Sequence, residues 1–97
     1  MIDIVGELKK MREKKIVVNL QSGLQAYNAT EFVKEATKYS SDIKILKDER
    51  LLAAKSIMGV MCLAIRKGEE ITLIADGIDE CKAIKSLETF LTNGSLK

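Results

Sequence analysis

Ser56 stands directly ahead of the apolar run Ile57-Met58-Gly59-Val60-Met61, a place where a hydroxyl can cap a helix or carry a phosphate. As a cap it would satisfy a free backbone N–H and contribute about 1 kcal/mol. As a phosphate acceptor it would bring about −1.5 to −2 charges to a helix N-terminus, where the dipole and free N–H groups favour them, so modification would change a surface and leave the fold intact. A second helix start offers the opposite case. The stretch Gly23-Leu24-Gln25-Ala26-Tyr27-Asn28-Ala29 leads into an amphipathic run, so Gln25 sits where unpaired N–H groups make an anion site. A nucleophile there could hold a transferable phosphoryl group, but the Gln25 amide neither titrates nor attacks and acts only as donor, acceptor or brace. The chain contains no histidine. Cys62 and Cys81 lie nineteen positions apart, with no C-x-x-C pair and no imidazole to complete a zinc site, so no metal or other cofactor is expected. Cys62 reads as an inert, semi-buried residue.

The hydrophobic periods define the elements that must hold these residues. Ile16, Val18 and Leu20 alternate with Val17 and Asn19 as a half-buried strand does. Ala29, Phe32, Val33 and Ala36 form one stripe of a helix over 26–38, with Glu31, Lys34, Glu35 and Lys38 on its polar face. Ile43 and Ile45 mark a second strand, and a short third strand passes through Leu52. Glu49 sits where a two-residue hairpin prefers glycine, which predicts a looser connection. Ser56 opens a short helix to about Leu63, with Val60 and Leu63 facing inward. Ile71, Leu73 and Ala75 lie on one face of a fourth strand. Asp79 is placed to cap a last helix whose buried stripe reads Cys81, Ile84, Leu87 and Leu91, stopped by Asn93-Gly94. Strand, helix, strand, strand, helix, strand, helix is the order of an α+β two-layer domain, its helices on one face of an antiparallel sheet.

Ninety-seven residues make one domain. Sixteen Lys and Arg against fourteen Asp and Glu leave a net charge of +2, too little to argue for direct nucleic-acid binding. No run of about 18 apolar residues and no signal-peptide pattern occurs, so the expectation is a cytoplasmic protein with reduced thiols and no membrane partner. Residues 1–14 read as an extension, in which Ile4, Val5, Leu8 and Met11 recur at helical spacing. Residues 15–97 read as the folded domain.

From about Lys14 to Gly94 the chain closely resembles HPr, the phosphocarrier family of the bacterial sugar phosphotransferase system. HPr carries phosphate on the histidine of a Gly-Leu-His-x-Arg-Pro-Ala loop. Here Gln25 holds the histidine position, Tyr27 the arginine position and Asn28 the proline position. Lys55-Ser56-Ile57-Met58-Gly59-Val60-Met61 matches the regulatory serine signature of the Gram-positive members. A chain with that serine and without the histidine resembles the catabolite-repression branch of the family, whose loop also has glutamine; unlike that branch, this chain lacks the loop arginine and proline as well.

The resemblance implies the HPr-like open-faced sandwich, a four-stranded antiparallel sheet with three helices on one face. It implies a regulatory protein and not an enzyme, phosphorylated on Ser56 by HPr kinase/phosphorylase and acting as corepressor of a LacI-type catabolite regulator. Ile57, Met58 and Met61 then match the docking patch, although methionines at this spacing are more often core than surface. Leu24, Gln25 and Tyr27 read either as a plain entry loop or as partner contacts. The alternative function is an interaction module diverged to another partner, without phosphorylation. A homodimer is left open.

Overall fold

The alternation of apolar residues in four segments builds one sheet. The computed structural model describes residues 11–93, with strands β1 (Arg12–Val17), β2 (Asp42–Lys47), β3 (Arg50–Ala53) and β4 (Glu70–Asp76). They pair in the order β1-β4-β2-β3, all antiparallel. Ile43 faces Ala75 and Ile45 faces Leu73 across the β2–β4 ladder, while Ile16 faces Ile71 across β1–β4. All six are buried, as a period of two demands of a sheet covered on one side.

Helices α1 (Ala26–Ala36), α2 (Ile57–Cys62) and α3 (Glu80–Asn93) complete the second layer. The α1 stripe Ala29, Phe32, Val33 and Ala36 is buried as its spacing predicts. Phe32 meets Phe90 of α3 with ring centroids 6.4 Å apart and a 40° tilt, the geometry in which an aromatic pair adds about 0.5–1.5 kcal/mol to its burial. The architecture is the expected open-faced α+β sandwich.

Several local expectations are corrected. Arg12–Lys15 form strand, so the ladder starts inside the stretch read as an amphipathic extension; residues 1–10 lie outside the described residues. Val18 and Leu20 remain buried although the ladder ends at Val17, because the Val18 and Asn19 N–H groups donate to Glu69 and Leu91 carbonyls. The β2–β3 hairpin is tight: Lys47 pairs with Arg50, and Asp48 and Glu49 take φ of 49° and 68°. Strand pairing imposes this primed turn on two residues that pay roughly 1 kcal/mol each for left-handed backbone. Cys81 and Cys62 are both exposed. Ala83 and Phe90 join Ile84, Leu87 and Leu91 on the buried face of α3, rotating that face away from Cys81.

Two acidic residues also depart from expectation. Asp79 precedes α3, and its carbonyl accepts the Ala83 N–H, but its carboxylate accepts from the backbone N–H and hydroxyl groups of Ser40 and Ser41. The Ser41 hydroxyl first, then the Ser40 N–H, hold that carboxyl below the usual carboxylate range. Glu35 is buried where α1 meets α3, and Oε2 accepts from Ser86 Oγ at 2.5 Å and from the Tyr39 hydroxyl at 3.3 Å. Lys38 Nζ lies 2.9 Å from the other carboxylate oxygen. Burial pushes the Glu35 carboxyl up, but Ser86, Lys38 and Tyr39 together outweigh it and the net direction is down.

Candidate functional site

The Ser56 backbone is extended, with φ −111° and ψ 115°, and its Oγ accepts the Gly59 N–H at 3.1 Å. This is an N-cap, the conformation Ser adopts because its short side chain reaches back to the third residue of the helix. Ser56 is half-buried, and a Cβ at Gly59 would approach its Oγ to 3.4 Å. Beyond it, Ile57, Met58 and Met61 are 41%, 74% and 44% exposed, while Val60 and Leu63 are buried. The methionines are therefore surface residues, on a six-residue helix that buries only one side.

Two cations from distant segments hold the C-terminal end of this short helix, and a third fixes the residue ahead of its cap. Lys47 Nζ donates to the Leu63 carbonyl at 3.1 Å and Arg50 Nη2 to the Cys62 carbonyl at 3.2 Å, both at the negative end of α2. Ahead of Ser56, Lys55 Nζ donates to the Tyr39 carbonyl at 2.7 Å. Lys47 also lies 3.1 Å from Glu69, whose carboxyl is held low by the Arg66 N–H and then by Lys47. Sequence reading missed these contacts because each joins residues twelve or more positions apart.

The loop before α1 has a built geometry of its own. Gly23 takes φ 67°, and a Cβ there would fall 2.3 Å from the Ile65 carbonyl oxygen and 2.8 Å from Arg66 Cα. Leu24 donates its N–H to that same carbonyl at 2.9 Å, and its side chain is fully buried. Leu24 is thus core, which corrects its reading as a partner contact. Ala26, the first residue of α1, takes φ 47°. Asn28 bridges the bend, donating Nδ2 to the Gly23 carbonyl at 2.8 Å. Gln25 is exposed at the N-cap position and makes no side-chain capping bond. Tyr27 is 72% exposed. The Leu24–Ile65 bond ties this loop to the segment leaving α2, and α1 and α2 pack together. The loop presents an amide and a phenol on fixed backbone, and no imidazole. Among the described residues no group of three or more His, Cys, Asp or Glu side chains could hold a metal ion.

The family described as the PTS HPr component phosphorylation site matches residues 12–93. The HPr-like protein Crh of Bacillus subtilis is 46% identical over 81 residues, covering 84% of this chain and 95% of that protein. Among solved structures, the phosphocarrier protein HPr from Bacillus anthracis superposes with a TM-score of 0.82 at 43% identity, covering 84% of this chain and 96% of that one. The crystal structure of Bacillus subtilis Crh, described as an intertwined, domain-swapped dimer, gives a TM-score of 0.71 at 44% identity over 87% of this chain and 97% of that one.

Proposed function

This chain belongs to the HPr family, and we propose that it serves there as a Crh-like regulatory protein of the cytoplasm whose switch is phosphorylation of Ser56 by HPr kinase/phosphorylase. The observation that carries the reading is the juxtaposition of a half-buried capping serine with an exposed apolar patch, Ile57, Met58 and Met61. The Ser56 oxygen attacks the γ-phosphorus of ATP, the bond to ADP breaks, and the hydroxyl proton leaves to the kinase. Phosphate oxygens can then take over the Gly59 N–H, so the helix keeps its cap while the surface beside the methionines gains about −1.5 to −2 charges. That combination, an anion flanked by adaptable apolar side chains, suits docking as corepressor on a LacI-type catabolite regulator. Phosphocarrier transfer has no nucleophile at Gln25.

Incubation with HPr kinase/phosphorylase and ATP, followed by intact mass, tests the switch. One added phosphate is expected, absent in Ser56→Ala, which loses about 1 kcal/mol of stability with its cap. A phosphate on Ser40 or Ser41 would overturn the assignment; both are bonded to Asp79. A second reading, an interaction module with another partner, is favoured by Tyr27, since an exposed phenol in the arginine position removes a guanidinium that could pair with an acidic partner. The described dimer of Bacillus subtilis Crh supports self-association as a further property of this chain.

A further inference from the structure

We propose that Lys55 is a positioning residue for phosphorylation at Ser56, tying the start of α2 to a fixed carbonyl so that the hydroxyl is presented in one place; the inference rests on Ser56 being the phosphate acceptor. Lys55 is half-buried, and its Nζ donates to the Tyr39 carbonyl at 2.7 Å. Among the described residues no carboxylate forms an ion pair with Lys55. Its donor is thus aimed at a backbone group beyond the end of α1, where it fixes a position and neutralises no acid.

The chain needs a tether at this point. Strand β3 ends at Ala53, and once the Ala54 N–H has donated to the Ile43 carbonyl at 2.8 Å the backbone leaves the sheet. Its next bonds are local, Ser56 N–H to the Ala53 carbonyl at 3.3 Å and Val60 N–H to the Ser56 carbonyl at 2.9 Å. A six-residue helix gains little from its own hydrogen bonds, so its orientation is set from outside. Lys47 and Arg50 hold the C-terminal end, and Lys55 reaches from the N-terminal end to another part of the fold. The group that Lys55 grips is itself well held. Tyr39 donates its N–H to the Ala36 carbonyl at 3.2 Å and its hydroxyl to Glu35 Oε2 at 3.3 Å, and its ring packs against the core. Ser40 and Ser41, the next two residues, donate their N–H groups to the Asp79 carboxylate at 2.9 and 3.0 Å. Position matters to the reaction because Ser56 Oγ must meet the γ-phosphorus of ATP in line with the departing ADP oxygen, and a misplacement of about 1 Å can cost on the order of 100-fold. The patch of Ile57, Met58 and Met61 lies beyond the cap and keeps its footing through buried Val60 and Leu63, so loss of the tether acts on transfer more than on docking.

Steady-state kinetics with HPr kinase/phosphorylase, ATP and the full-length protein test this, together with amide hydrogen exchange at Gly59, whose N–H is held by Ser56 Oγ. Lys55→Met keeps the aliphatic stem and removes the donor. It is expected to lower kcat about tenfold with KM little changed, and to speed Gly59 exchange by a similar factor while exchange at Leu73 in β4 reports an intact fold. Lys55→Arg restores a donor and should return kcat to within about threefold of the native protein. Equal kcat for the native protein and Lys55→Met would overturn the proposal. So would a loss confined to KM and abolished by about 0.5 M salt, which marks a charge read by the kinase, or a fall in kcat with Gly59 exchange unchanged. A native protein that takes no phosphate would overturn the Ser56 reading itself, whereas an unaffected Lys55→Met overturns the tether alone.

Discussion

The Gly23–Asn28 loop and the Ser56 helix start are built alike and armed differently. Each presents the first turn of a helix; the loop is fastened by Ile65 and by its own Asn28, and α2 by Lys47 and Arg50 at its far end. At Ser56 the side chain at the helix start is a hydroxyl, both cap and potential phosphate acceptor. At Gln25 it is an amide that caps nothing. The loop's shape rests on packing and hydrogen bonding: Gly23 lies against Ile65 and Arg66, Leu24 is in the core, and Asn28 holds the Gly23 carbonyl.

If the loop is held by close packing, the largest effect should come from Gly23→Ala. Its Cβ would fall 2.3 Å from a backbone oxygen at a positive φ, a clash that needs movement of the Ile65–Arg66 segment. Urea unfolding is expected to show a loss of at least about 3 kcal/mol. Gly59→Ala is the matched change at the other site: its Cβ meets nothing closer than 3.4 Å, so stability should hold while phosphorylation of the adjacent Ser56 slows. A mild Gly23→Ala would erase the distinction between a packed loop and an open cap.

Glu35 anchors the far end of α1, the helix that the loop begins. Its carboxyl is depressed in the folded protein, because Ser86, Lys38 and Tyr39 outweigh the opposing effect of burial. A depressed carboxyl adds stability above its unfolded pKa and loses it as pH falls through the folded value, so this contribution is present at neutral pH and is lost in acid. Glu35→Gln should cost about 1–3 kcal/mol at pH 7 and flatten the acid limb of the stability profile. An unchanged acid limb would place the depression elsewhere.

A smaller effect is expected at the exposed patch. Met58→Ala with Met61→Ala should change the unfolding free energy by less than about 1 kcal/mol, against the 2–5 kcal/mol typical of buried methionine truncation, and should weaken kinase or regulator binding. Loss of stability on the core scale would remove the patch as a binding surface.

Period carried most of this fold into the sequence. Ile71, Leu73 and Ala75 could face only one way, and the Ala29–Ala36 stripe fixed the inner side of α1. Where period was weak, reading failed for physical reasons. Leu24 lies in a loop, which has no repeat to reveal that its side chain is buried. On α3, Cys81 and Ala83 are both small apolar residues at the first turn, and only packing against the sheet chose Ala83. The Asp48–Glu49 turn obeys the register of β2 and β3 over the preference of its own residues. The Ser56 cap was legible because a cap is local, and its patch was legible through the family resemblance, whereas Lys47, Arg50 and Lys55 make contacts that no short window contains.

The smallest expected change is Gln25→His alone, and it tests how much of the loop's emptiness lies in one side chain. The imidazole would gain a nucleophilic nitrogen on backbone already shaped by Gly23 and Ala26. The phosphoryl group would still lack a guanidinium fork, since Tyr27 is a phenol, and charge-assisted bidentate contacts are the stronger kind. Incubated with phosphoenolpyruvate and enzyme I, the single variant should accept acid-labile phosphate slowly or not at all, and Gln25→His/Tyr27→Arg much faster. Asn28 is best left in place in both, because its Nδ2 holds the Gly23 carbonyl and its N–H donates to the Gln25 carbonyl at 3.0 Å, two bonds that a proline would remove. Equal rates for the two variants would show that Tyr27 is neutral for anion binding. The contrast between loop and capped serine would then reduce to the difference between an amide and a nucleophile at one position.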